Sequence, residues 1–117
     1  MTVLDEYFEL SDHAGSDKIC FDILMSLFAS KAKVSLSDGS LLEGKDAIET
    51  FFRSFFDRNK VLKHVWHTNR IDDRNLETKW AVAGMRKDNS FFSFTGTDKA
   101  TVNSANKITY LAIRFDK

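Results

Sequence analysis

A few side chains in this sequence have the chemistry to move a proton or grip a polar ligand. They are Asp98, the histidines His64 and His67, the turn residue Asp38, and the aromatics with a polar tip, Tyr7, Trp66, Trp80 and Tyr110. Asp98 lies in the run Ser90 to Val102, and Phe92, Phe94, Gly96 and Ala100 share its parity on a strand. A carboxyl walled by such residues is hard to ionise, so its pKa rises and it can donate or shuttle a proton near neutral pH. The opposite reading makes Thr95-Gly96-Thr97-Asp98 a bend or bulge with the carboxylate in water. His64 and His67 are three residues apart, which on a strand sends them to opposite faces, so at most one enters a pocket. His67 travels with Val65 and Asn69, and His64 with Leu62, Trp66 and Thr68; alternation leaves open which set is inside. With His67 and Asn69 inside, a His67–Asp98 couple can act as base and acid; otherwise His67 is an ordinary half-buried histidine. Asp38 belongs to an Asp-Gly turn, where Asp occurs for local reasons.

Other chemistries have no support. Three histidines and one cysteine give no pair with metal-ligand spacing, so neither a metal nor a cofactor is expected. There is no G-x-S-x-G, phosphate-binding loop or G-x-G-x-x-G segment. Lys and Arg (17) balance Asp and Glu (17), which argues against nucleic acid or an anionic membrane as partner. No apolar run approaches the roughly 18 residues of a membrane span, and the acidic, amphipathic start MTVLDEYFEL is unlike a signal peptide. The lone Cys20 permits no internal disulfide, so the cytoplasm is the expected compartment, and Cys20 itself reads as a small buried apolar residue. The outlier is Phe, 11 of 117 residues, which calls for a large apolar interior or an apolar cavity.

The elements that must place these groups follow from periodicity. Thr2 to Asp12 sets Val3, Leu4, Tyr7 and Phe8 on one helical face. Ser16 reads as the cap of a second helix running to about Ala29, with Ile19, Cys20, Ile23, Leu24, Leu27 and Phe28 as its stripe. Ala32 to Leu36, the Asp38-Gly39 turn and Leu41-Leu42 form a short hairpin. Gly44 precedes a third helix striped by Ala47, Ile48, Phe51, Phe52, Phe55 and Phe56, which Asn59 can close in the left-handed conformation. Val61 to Ile71, Leu76 to Arg86, Ser90 to Val102 and Lys107 to Phe115 alternate as four long strands at hairpin spacing. Residues 1–117 thus read as one α+β domain, helices segregated against a curved antiparallel meander.

This order, with Leu27-Phe28-Ala29 leading into Ala32-Lys33-Val34, then Leu42-Glu43-Gly44-Lys45-Asp46-Ala47-Ile48 and Phe51-Phe52, and later Thr68-Asn69-Arg70-Ile71, resembles the SnoaL-like family of the NTF2-like superfamily over the full length. The resemblance implies a cystatin-like cone: a strongly bent mixed sheet around three helices, with a largely apolar pocket at the open end and homodimers paired through the sheet. Laid on ketosteroid isomerases, Asp98 to Phe115 runs without gaps, and Asp98 falls on the protonated Asp that donates to the substrate oxyanion. The same match puts Leu36 where those enzymes keep their general base, and gives their helix-1 tyrosine no clear equivalent, Tyr7 standing too far from Leu27-Phe28 unless the interhelix loop is longer. The Asp–Arg–Asp set of the epoxide hydrolase branch is also missing.

Three functions follow. The first is a pocket for a small, largely apolar molecule, lined by Tyr7, Phe52, Phe56, Trp66, Asn69, Trp80, Phe92 and Phe94. The second is a cofactor-independent isomerase, cyclase or lyase with Asp98 as acid and His67 as base. The third is a homodimeric adaptor without a ligand, using the Leu76–Arg86 strand face with Ala81, Ala83 and Met85.

Overall fold

A computed structural model describes residues Met1–Asp116. Helix α1, Val3–Ser11, opens on a reciprocal cap: Thr2 Oγ1 accepts from the Asp5 N–H, and Asp5 Oδ2 accepts from the Thr2 N–H at 2.8 Å. Its inner face buries Val3, Leu4, Tyr7 and Phe8, as the spacing requires. Helix α2, Lys18–Ser26, is capped by Asp17, whose Oδ1 accepts from Ile19 N and Cys20 N, not by Ser16.

The stripe expected on α2 is only partly inside. Phe21 and Leu24 are buried, whereas Ile19 is 71% and Ile23 45% exposed, and Cys20 is half-buried. Phe21 decides the helix rotation: its ring meets Phe56 edge-on at 6.1 Å and lies beneath the Arg53 guanidinium at 4.7 Å. The helix also stops three residues before the expected end. Leu27 O accepts from Ile108 N at 2.8 Å and Phe28 is paired with Ile108, so pairing with the far end of the chain overrides the helical pattern there.

Strand β1, Phe28–Ser35, therefore starts earlier than its polar–apolar alternation suggests. It turns at Asp38-Gly39, where Gly39 takes φ +91°, into β2, Leu41–Glu43. Helix α3, Lys45–Arg58, buries Ile48, Phe52 and Phe56. Asn59 does not close it in the left-handed region. At φ −112° it is already extended and begins β3, Asn59–Arg70, while its Nδ2 caps the helix through Phe55 O at 2.7 Å. Strands β4, Asn75–Arg86, β5, Phe91–Val102, and β6, Ile108–Phe115, complete a sheet of six strands in the order β2-β1-β6-β5-β4-β3. All neighbours are antiparallel except β1 and β6, which makes the sheet mixed.

The three helices and the six-stranded open sheet form the α+β cone that the sequence implied. Two glycines let aromatics lie flat on its inner face. A methyl at Gly96 would fall 2.4 Å from Trp80 Cζ2, and one at Gly84 would fall 2.5 Å from Phe92 Cζ. Among the described residues no helix is long and apolar enough to cross a membrane.

Candidate functional site

The parity of β3 is settled by burial. Leu62, His64, Trp66 and Thr68 turn toward the helices, while Lys63, Val65, His67 and Asn69 face outward. The alternative that placed His67 and Asn69 inside is thus corrected: they bond each other on the exposed face, His67 Nε2 to Asn69 Oδ1 at 3.2 Å. The physical reason is that the odd set carries the charged Lys63 and the polar Asn69, whereas the even set carries the larger apolar bodies of Leu62 and Trp66.

Between the sheet and α3 lies a cavity of about 490 Å³. Its walls are mostly apolar: Phe51, Phe52, Phe55 and Phe56 from α3, Phe92 and Phe94 from β5, with Phe8, Val82, Ile113 and Phe115. Of the expected lining residues, Tyr7, Phe52, Phe56, Trp80, Phe92 and Phe94 line it. Trp66 does not. Its indole N–H donates to Asp5 Oδ1 at 3.0 Å and its ring stacks on Phe8, so its polar tip is spent on the first helix.

Asp98 is 1% exposed and lines the cavity. Its strand neighbours on the same face are those expected from parity, with Gly96 and Ala100 buried. The Trp80 Nε1–H donates to Oδ1 at 2.8 Å, diagonally across the β4–β5 ladder. Burial pushes the carboxyl up to about 7, against the opposing pull of the indole hydrogen bond, which favours the charged form. Asp98 is therefore poised between acid and carboxylate near neutral pH.

Tyr7 is also brought into the cavity, and its phenol is pushed well up by burial and by the nearby Asp98. Neither the Tyr7 hydroxyl nor Asp98 Oδ2 has a partner among the described residues, yet no buried side-chain oxygen or nitrogen there is orphaned. What accessible surface these atoms keep therefore opens on the cavity they line, and both can donate to a guest.

Four further titratable or charged groups stand in the lining. His64, inward on β3, holds Asp12 at the end of α1. Arg58 and Arg86 stand at the cavity with Asp38, whose carboxylate is held low by hydrogen bonds from Ser40. The Arg86 guanidinium lies over the Phe92 ring at 4.7 Å. Sequence reasoning did not single out Asp12, Arg58 or Arg86 as site residues, because a charge at an element's end looks like solvated surface. Among the described residues no group of three or more His, Cys, Asp or Glu is placed to hold a metal ion.

No family model and no curated protein matches the sequence. Among solved structures, the chain is similar to an NTF2-like protein of unknown function from Exiguobacterium sp. 255-15, with 38% identity, 99% of each chain covered and a TM-score of 0.89. It is similar in fold to SalBIII, an epoxide hydrolase/cyclase-like enzyme of pyran ring formation in the polyether salinomycin. Identity there is 16%, coverage 97% of this chain and 88% of that one, and the TM-score 0.81. It shares the fold of RV0760c from Mycobacterium tuberculosis in complex with estradiol-17beta-hemisuccinate as well, at 16% identity, 99% and 95% coverage and a TM-score of 0.79.

Proposed function

This chain belongs to the NTF2-like superfamily, and from that premise we propose that it binds a small, largely apolar molecule whose one polar oxygen sits at Asp98 and Tyr7. The observation that carries this reading is a buried carboxyl at the wall of a largely apolar, Phe-rich cavity of about 490 Å³. Such a wall desolvates an apolar body, and a guest oxygen replaces the water that Asp98 Oδ2 would otherwise need. The steroid derivative in the Mycobacterium tuberculosis neighbour, an apolar body with oxygen functions, supports the same class of guest.

A second reading, acid–base isomerisation, cyclisation or elimination with Asp98 as the acid, is favoured by its pKa of about 7, since proton transfer is most efficient when the group titrates near the working pH. The cyclase-like neighbour supports that class. The open cavity counts against an adaptor with no ligand. Thermal-shift screening of apolar ketones, alcohols and hydrocarbons tests the binding reading. Oxygenated compounds are expected to stabilise wild type more than Asp98→Leu, and a screen in which none stabilises wild type removes the proposal.

Self-association through the outer sheet face belongs to the same proposal, supported by Val61 and Val65, which are 52% and 64% exposed there. Sedimentation reads it: a dimer broken by Val65→Asp is expected, and a wild type that stays monomeric at high concentration removes it.

A further inference from the structure

The cavity has a second polar end, away from Asp98, which the binding reading does not use. Arg58 is the last residue of α3 and Arg86 the last of β4. Their backbones meet: Asn59 pairs with Arg86, and Arg58 O accepts from the Lys87 N–H at 3.1 Å. Both side chains line the cavity, Arg58 exposed and Arg86 half-buried. Two guanidiniums thus stand at one corner of a Phe-rich hollow.

Among the described residues no carboxylate lies within ion-pair distance of either. Asp88 is near enough for Arg86 to help hold it low, yet its Oδ1 is taken by Ser90 N at 2.9 Å and Ser90 Oγ at 2.6 Å. Asp38, the carboxylate that lines the cavity with them, is on the β1–β2 turn, with β6 and β5 between its strand and β4. A cation at the C-terminal end of a helix suits the helix dipole, which accounts for Arg58. Arg86 ends a strand, where that field is absent. Its guanidinium instead lies over the Phe92 ring at 4.7 Å, and its one side-chain hydrogen bond among the described residues is a long one, Nη1 to Ser90 Oγ at 3.4 Å. Because Phe92 is cavity wall, the stack holds a guanidinium fork beside the hollow with most of its N–H groups unspent.

We propose that Arg86, together with Arg58, binds an anion, and that the guest of this cavity is an elongated apolar acid with its carboxylate at the two guanidiniums and its oxygen function at Asp98. The inference rests on the binding reading above and adds a second polar end to that guest. Phe92 and Asp98 share one face of β5, six residues apart. That is at most about 20 Å of strand, shortened by the bend of the sheet and the reach of the side chains, so the two groups belong to opposite ends of the molecule. The planar fork takes both carboxylate oxygens, and the aromatic wall keeps water from one side of the pair, which strengthens it. A neutral end gains neither effect.

The probes are 10-hydroxydecanoate and 1,10-decanediol, which share a chain and a hydroxyl for Asp98 and differ in the charge of the other end. Calorimetric titration at about pH 6 keeps the probe carboxylate ionised. Wild type should bind the hydroxyacid about tenfold or more tighter than the diol, and added salt should narrow that preference. Arg86→Gln should lose most of it and the Arg58→Gln, Arg86→Gln double variant all of it, with diol affinity unchanged as the sign that the cavity is intact. In wild type the Arg86 Nε–H signal should shift with the hydroxyacid and not with the diol, a readout that needs no variant to fold. Equal affinity for the two probes in wild type, a preference undiminished in the double variant, or an Arg86 signal indifferent to the hydroxyacid overturns the anion site and leaves binding standing. Wild type that binds neither probe overturns the binding reading and the anion site together.

Discussion

Trp80 Nε1 lies 2.8 Å from Asp98 Oδ1, on neighbouring strands and on the inner face of the sheet. The indole covers one carboxyl oxygen with a donor and leaves Oδ2 without a partner among the described residues, at the cavity wall. Gly96, directly opposite Trp80 on β5, makes room for the ring to lie down. Sequence thereby reaches chemistry through packing: a missing side chain at one position lets an aromatic at another bury the acid.

Stability should carry the mark of that burial. Well below pH 3.8 Asp98 is protonated in both the folded and unfolded chain. As pH rises from its ordinary 3.8 to about 7, only the unfolded chain releases the proton, so the folded state loses stability through this window and levels off above it. The full loss is on the order of 4 kcal/mol. Asp98→Asn keeps an acceptor for Trp80 and has no charge to release. Denaturant melts should show the difference between wild type and variant levelling off near pH 3 and the variant gaining on wild type from there up to pH 7. Carboxylates held low, such as Asp72 by Arg74 and Asp88 by Ser90, act with the opposite sign in the acid range and are common to both proteins. Parallel curves across the window would show that Asp98 titrates as an ordinary carboxyl.

Trp80→Phe removes the indole donor and leaves Oδ1 buried. Stability should fall by about 1–3 kcal/mol at a pH where Asp98 is protonated. Because the indole bond favours the carboxylate, its loss should move the Asp98 pKa further up, readable from the carboxyl carbon by 13C NMR. A pKa that stays or drops would mean the indole does not set the charge of the acid.

Gly96→Ala places a methyl 2.4 Å from both Arg114 O and Trp80 Cζ2. The backbone carbonyl cannot step aside cheaply, so the indole must lift away from Asp98. A loss of about 1–3 kcal/mol is expected, with a displaced Trp80 indole signal. At Gly15 the nearest atom would be Phe56 O at 3.6 Å, ordinary contact, so Gly15→Ala serves as the control and should leave that signal in place. Equal, small effects of the two changes would contradict the close packing of Trp80 on β5.

The strands and their turns were legible because Asp38-Gly39 and the polar runs at 72–75, 87–89 and 103–106 interrupt clear alternation. Asp98 was legible as a lining carboxyl for the same reason: parity ties it to Phe92, Phe94, Gly96 and Ala100. Other features depend on partners distant in the chain. Phe28 is a strand residue because Ile108 pairs with it, and α2 rolls toward Phe21 because Phe56 and Arg53 receive that ring. The hold on the His64 ring comes from Asp12, which in sequence is one more acid after a helix. The inward parity of β3 left a trace, Lys63 amid the outward set, that weighing side-chain size and charge could have used.

Calorimetric titration bears most directly on the claim that the cavity takes an apolar body with its oxygen at Asp98. Isophorone and a hydrocarbon of the same carbon skeleton are titrated into wild type, Asp98→Asn and Asp98→Leu. Wild type and the Asn variant, which both offer a donor, should bind the ketone about tenfold or more tighter than the hydrocarbon, and the Leu variant should not discriminate. Failure of wild type to bind either compound, or the same preference in all three proteins, would contradict it.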